Sequence, residues 1–307
     1  MASMSTKRFR SPTSKDVKIK TEEVMSSVIT PDITCSNSKR SRVCEPDAQL
    51  SSSTVIEKVT RPTPAECWYV TTELGKLHPE VIQCNKERRS ADMGTCAIDK
   101  TILDGVVGTI LSQNTTSANS SRAFAQLKQK YPTWEQVEAL PNPSALEEVI
   151  RSAGLAKTKS ERIYAMLKIL KQERGSVTLE YLREYSDADV KTDLSRFKGM
   201  GPKTISCVML FAMRRPEFPV DTHVHRICRQ LGWTNSASTR ETAYDHLNAT
   251  VPSALKLDLH CLLIAHGKQC HRCAARGKPQ FPPKDGSKVV CPLVNMNLHL
   301  KDEVLKS

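Results

Sequence analysis

The chain has 307 residues, enough for one large or two medium domains, and 45 Lys and Arg against 33 Asp and Glu leave it at +12. That balance favours a polyanionic partner such as nucleic acid. No apolar run approaches the roughly 18 residues of a membrane span, no signal-peptide core follows Met1, and eleven cysteines scattered through helix-like patterns argue against a disulfide framework. A monomer with no membrane partner, in a reducing, nuclear or organellar compartment, is expected.

Residues 1–62 carry Ser, Thr, Lys and Pro with little apolar periodicity, the composition of a disordered basic tail. Its clusters KRFR (Lys7 to Arg10) and KRSR (Lys39 to Arg42) suit nuclear import or contact with phosphates, and Ile19 to Glu22 resembles a sumoylation acceptor. From Thr63 to Met93, Trp68, Tyr69, Leu74 and Val81 can anchor a helix or two. Helical periodicity then dominates, over Ile98 to Ser112, Thr116 to Lys130, Thr133 to Ala139, Pro143 to Ala153, Ser160 to Arg174 and Asp187 to Phe197. Gly154 and Gly175 stand where helix C-caps belong. Further helices are expected at Thr222 to Leu231, Thr239 to Thr250 and Leu255 to Ala265. Strand-like alternation is nearly absent, so the fold class is all-α.

The chemistry concentrates between Phe197 and His225. Gly199-Met200-Gly201 forms a tight turn whose glycines can take positive φ and aim N–H groups at a phosphate. Pro202 suits a first helical position, and Lys203 follows in the first turn of a helix expected to reach Arg214. The positive end of the helix dipole disfavours a protonated amine there, which makes Lys203 a candidate nucleophile. The helix rises roughly 16 Å, and the extended return from Arg215 can span roughly 20 Å, so Asp221 can come back near Lys203. Asp221 also precedes a helix, where it would serve as N-cap.

Glycine hairpin, lysine and, eighteen residues later, the Asp of VDTH resemble together the helix-hairpin-helix and Gly/Pro-Asp signature of the endonuclease III superfamily of base-excision DNA glycosylases. The similarity runs from about Ala97 to Gly267 and includes LSQNTT (Leu111 to Thr116), IRSAGLAKTKSERI (Ile150 to Ile163) and LHCLLIAHG (Leu259 to Gly267). The resemblance implies two helical domains with a DNA-binding cleft between them: a six-helix barrel at about 95–215, and a terminal domain from 63–94 and 216–295, followed by a tail at 296–307. It also implies a glycosylase with AP lyase activity, in which Lys203 attacks a flipped nucleotide in double-stranded DNA and Asp221 stabilises the developing charge. Gln113 and Asn114 match positions that plug the void left by the flipped base, though either can be an ordinary helix-end residue. Lys198, Gly199 and Gly201 would meet phosphates. Thr109 stands where adenine-removing relatives carry a catalytic Glu, which disfavours that specificity. A damaged or modified pyrimidine is the expected target; FPVDTHVHRICRQLGW (Phe218 to Trp233) also resembles plant Demeter-like 5-methylcytosine glycosylases. The rival from another class is a noncatalytic helix-hairpin-helix DNA-binding protein.

Family members with an iron-sulfur cluster space four cysteines as C-x6-C-x2-C-x5-C. Here Cys270 and Cys273 supply a pair, Cys291 comes late after a long insertion, and Cys261 lies inside an apolar helix. Three readings stay open: no metal; zinc held by Cys270, Cys273, Cys291 and a nearby His such as His271; or an iron-sulfur cluster. The missing first cysteine favours the absence of an intact cluster.

Overall fold

The computed structural model describes residues 61–90, 101–282, 288 and 290–295. The basic clusters and the acceptor-like motif of the first 60 residues, and the tail at 296–307, lie outside the described residues. Those described form twelve α-helices joined by turns and short 3₁₀ segments, with no strand among them. None of these helices is long and apolar enough to cross a membrane.

The first two helices are α1 (Pro64–Leu77) and α2 (Pro79–Ser90). Thr63 caps α1 in a reciprocal box with Glu66, its Oγ1 accepting from Glu66 N at 3.2 Å while Glu66 Oε2 accepts from Thr63 N at 2.7 Å. Next come α3 (Ile102–Ser112), α4 (Ser117–Lys130), α5 (Trp134–Glu138), α6 (Ser144–Val149), α7 (Ala156–Arg174), α8 (Asp187–Ser195) and α9 (Pro202–Phe211). The expected helix over Pro143 to Ala153 is divided: α6 ends at Val149 and a 3₁₀ turn takes Arg151–Ala153. Conversely α7 begins four residues before its expected start. Gly154 and Leu155 both take positive φ and redirect the chain there, so the polar AKTK segment becomes a first turn without any apolar signal. Helix α9 stops at Phe211, three residues short of expectation, because Arg214 adopts a left-handed φ of 56° and turns the chain back.

The remaining helices are α10 (Thr222–Gln230), α11 (Arg240–Thr250) and α12 (Lys256–Gln269). Buried side chains fall into two clusters. The first is built around α3, whose Ile102, Leu103, Val106, Val107, Ile110 and Leu111 are all buried, and it draws on residues from there to Met213. The second joins Cys67, Val70 and Leu74 of α1 to residues from Phe218 to Cys273, plus Leu293. The return segment between α9 and α10 therefore passes from one core to the other, and a dense polar network holds it. Glu217, 2% exposed, pairs with Lys191 of α8 at 2.7 Å and accepts from Ser206 of α9 at 3.3 Å and from Tyr244 of α11 at 2.5 Å. Lys256 Nζ donates to Pro216 O at 2.9 Å, and Asn248 Oδ1 accepts from Phe218 N at 2.9 Å.

Candidate active site

That riveted segment ends at Asp221, and its last residues face the start of α9. Asp221 Oδ1 accepts from His223 N and Val224 N, both at 2.8 Å, so Asp221 is the N-cap of α10. Both capping bonds go to one oxygen, which leaves Oδ2 outside the cap. Behind Asp221, His260 of α12 donates from Nδ1 to Pro219 O at 2.9 Å. Burial pushes its pKa down to about 4, against the opposing pull of Asp221, so the ring is neutral at physiological pH.

Lys203 is exposed in the first turn of α9. It lines a cleft of about 140 Å³ together with Gly201, Thr204, Val220, Arg240 and Tyr244. Cys207, one turn further along α9, is buried and senses both Lys203 and Asp221; burial raises its thiol pKa, so it remains a neutral thiol. An exposed amine and a positionally fixed carboxylate thus lie within electrostatic range of the same two buried groups, Cys207 and His260. Such a pair can make a covalent bond to an electrophilic carbon and stabilise positive charge developing there.

The hairpin before α9 differs from expectation at one glycine. Gly199 has φ 92°, and a Cβ there would come within 2.8 Å of Arg162 Cδ, so this position requires glycine. Gly201 has φ −82° and ψ 172°, ordinary extended backbone, and a Cβ there meets nothing within 4 Å. Its backbone conformation does not call for glycine; a side chain would only occupy the open space before the N-terminus of α9. Lys198 is exposed beside the turn.

Gln113 and Asn114 diverge. Gln113 Nε2 donates to Gly199 O at 3.0 Å and to Thr204 Oγ1 at 3.2 Å, while its Oε1 accepts from Arg162 Nη1 at 3.2 Å. In this structure Gln113 braces the hairpin instead of reaching outward. Asn114 is exposed with a left-handed φ of 53°, at the tip of the α3–α4 connection. That tip is anchored from below by Lys159, 1% exposed, whose Nζ donates to Leu111 O and Ala153 O at 2.8 Å each. Neither Lys159, Arg162 nor Glu217 announces itself in the sequence, since their partners lie far along the chain.

The three nominated cysteines do come together, but with a different histidine. Cys270, Cys273 and Cys291 meet His266, and their donor atoms all lie within 4.8 Å of one another. His271 is not part of the group. His266 stands four residues before Cys270 at the end of α12, so one helical turn brings the two donors to the same side.

The comparisons with known proteins agree with this architecture. Residues 107–253 match the HhH-GPD superfamily base excision DNA repair proteins. A protein of Arabidopsis thaliana, At3g47830, named as a DNA glycosylase, is 43% identical over 253 residues, covering 76% of this chain and 85% of that one. The DNA glycosylase/AP lyase ROS1 of the same plant is 31% identical over 170 residues, 47% of this chain but 12% of ROS1. A solved endonuclease III–DNA complex superposes with a TM-score of 0.56 at 23% identity, covering 80% of this chain and 99% of that one, a likeness of fold. The chain belongs to the HhH-GPD superfamily of base-excision DNA repair proteins.

The iron-sulfur cluster of that fold family does not fit the residues present. Four irons at the corners of a cube hold their thiolate sulfurs about 6 Å apart. Here one donor is an imidazole and every separation is 4.8 Å or less.

Proposed function

We propose that the protein is a bifunctional DNA glycosylase with AP lyase activity, acting on double-stranded DNA at a damaged or modified base, with pyrimidines as the target class. The observation that carries this reading is the cleft lined by Lys203, at the start of α9, and by Val220, the residue before the capping Asp221. The glycosylase/AP lyase name that ROS1 carries and the DNA complex of the endonuclease III neighbour support it. A target base must leave the stack before its glycosidic bond can be reached, and exposed Asn114 is the residue placed to fill the gap, with Gln113 holding the hairpin steady. The two buried cores then correspond to the two domains on either side of the cleft, and Lys198 with the hairpin N–H groups positions the phosphate backbone.

In the reaction, the free amine of Lys203 forms a bond to C1′ as the C1′–N bond breaks; the base departs with the electron pair and takes up a proton. Asp221 stabilises the positive sugar in this step. Ring opening leaves an iminium between Lys203 and C1′. Loss of the C2′ proton to a base then expels the 3′ phosphate, and water hydrolyses the imine to restore the lysine. A DNA substrate agrees with a nuclear or organellar location.

Borohydride trapping tests the proposal. Incubated with reductant and duplexes carrying an abasic site, an oxidised pyrimidine or 5-methylcytosine, the protein should form a covalent adduct with at least the abasic duplex, and Lys203→Gln should form none. No adduct with any duplex would identify a noncatalytic binder instead. The panel also reports which base is excised.

A further inference from the structure

We propose that His266, Cys270, Cys273 and Cys291 form a closed, mononuclear zinc site that pins the C-terminal segment to the second core, in place of an iron-sulfur cluster. The geometry carries this directly. A tetrahedral zinc, with bonds of about 2.3 Å to sulfur and about 2.0 Å to nitrogen, sets its sulfurs about 3.8 Å apart and sulfur about 3.5 Å from imidazole nitrogen. Cys273 Sγ lies 3.7 Å from Cys291 Sγ, and Cys291 Sγ lies 3.5 Å from His266 Nε2. A disulfide between Cys273 and Cys291 would need far closer sulfurs and would leave the other two donors without a role.

The surroundings are those of a structural site. His266 and Cys270 are 0% exposed and Cys273 is 3% exposed, and four protein donors leave no open position for substrate or water. A metal-bound imidazole needs an acceptor for its other N–H. His266 Nδ1 is 3.3 Å from Nε2 of His78, which lies buried at the α1–α2 junction. Three thiolates and one Zn²⁺ leave a net negative charge, and Arg226 of α10 stands against it, its Nε donating to Cys273 O at 2.7 Å. The donors come from the last turn of α12, the turn after it and Cys291, beyond which Leu293 enters the second core. The metal therefore ties together α1, α10, α12 and the C-terminal segment.

The test is metal analysis of the full chain, expressed with iron and zinc both supplied and purified anaerobically. About one zinc per chain is expected, with no absorption band near about 400 nm. Cobalt replacement should give the thiolate charge-transfer and d–d bands of a tetrahedral site. His271→Ala should keep its zinc, whereas Cys291→Ser and His266→Ala should lose it to a chromophoric chelator at least about tenfold more readily than wild type. If His266→Ala does not fold, His266→Cys serves instead: it should retain zinc and shift the cobalt spectrum to that of four sulfurs. Four irons with acid-labile sulfide, absence of bound metal, or zinc held equally by Cys291→Ser would each overturn the assignment. None of these outcomes bears on borohydride trapping at Lys203, so the two proposals fail separately.

Discussion

Lys203 and Asp221 make different demands on their side chains. Lys203→Gln removes the only nucleophile the proposed chemistry uses, so base release and strand cleavage should both vanish. Affinity for duplex should stay within severalfold, because one charge is a small part of the phosphate-neutralising set. Asp221→Asn retains an Oδ1 that can cap α10, so the fold should persist while single-turnover excision slows on the order of a hundredfold. A fall in melting temperature that accounts for the lost activity would reduce Asp221 to a cap. His260 adds a pH dependence of defined sign. Its pKa is about 4 when folded, against an ordinary value near about 6.5 when unfolded, so the unfolded chain binds the extra proton. Stability from this group is complete above about pH 6.5 and is lost as pH falls toward 4, by an amount on the order of 3 kcal/mol. Denaturant titrations across that window should show His260→Asn with a shallower slope than wild type. Parallel slopes would mean that protonated His260 is accommodated.

At the scale of elements, the hairpin before α9 is shaped by Gly199 and braced by Gln113 and Arg162, and only the first of its two glycines is conformationally required. Gly199→Ala forces a left-handed alanine against Arg162 Cδ and should destabilise the protein by about 1–2 kcal/mol, with weaker binding to damaged and undamaged duplex alike. Gly201→Ala should leave the melting temperature unchanged. Equal stability losses in the two variants would contradict the backbone geometry. Helix α10 shows the same economy of means: Gly267 of α12 admits it closely, since a Cβ there would come within 2.9 Å of His223 Nδ1.

At the scale of the whole molecule, Glu217 fastens the segment that runs between the two cores. Glu217→Ala strips the partner from Lys191 and Tyr244; because Lys191 is 38% exposed and can turn to solvent, a loss of about 2–3 kcal/mol is expected, below that of a fully buried pair. Excision should slow by more than the stability loss explains, since Asp221 sits at the end of the same segment. Net charge sets the second global property. With +12 overall, duplex binding should weaken steeply between about 50 and 200 mM salt, each neutralised phosphate adding about 0.9 to the logarithmic slope. Lys198→Gln should reduce that slope by about one for any duplex. A change confined to damaged DNA would give Lys198 a role in reading the lesion.

The features readable along the chain were local ones. Helical periodicity, the Gly175 C-cap of α7 and the Asp221 cap of α10 rest on residues within four positions of one another and are found in place, whereas Gly154 closes the 3₁₀ turn that divides its expected helix. That Lys203 stands in the first turn of α9 and Asp221 at the cap of α10 was legible, and helix rise with strand length bounded how far the chain between them could reach. Helix packing, and not the order of residues, makes Gln113 turn inward to Gly199 across 86 positions, lets Glu217 link three helices, and brings His266 instead of His271 to the cysteines. His266 lies one helical turn before Cys270, a spacing the sequence displays, but which of two neighbouring histidines shares a site with Cys291 depends on how α12 packs against α1 and α10. Side-chain direction across long separations is set by packing of whole helices, and no local pattern encodes it.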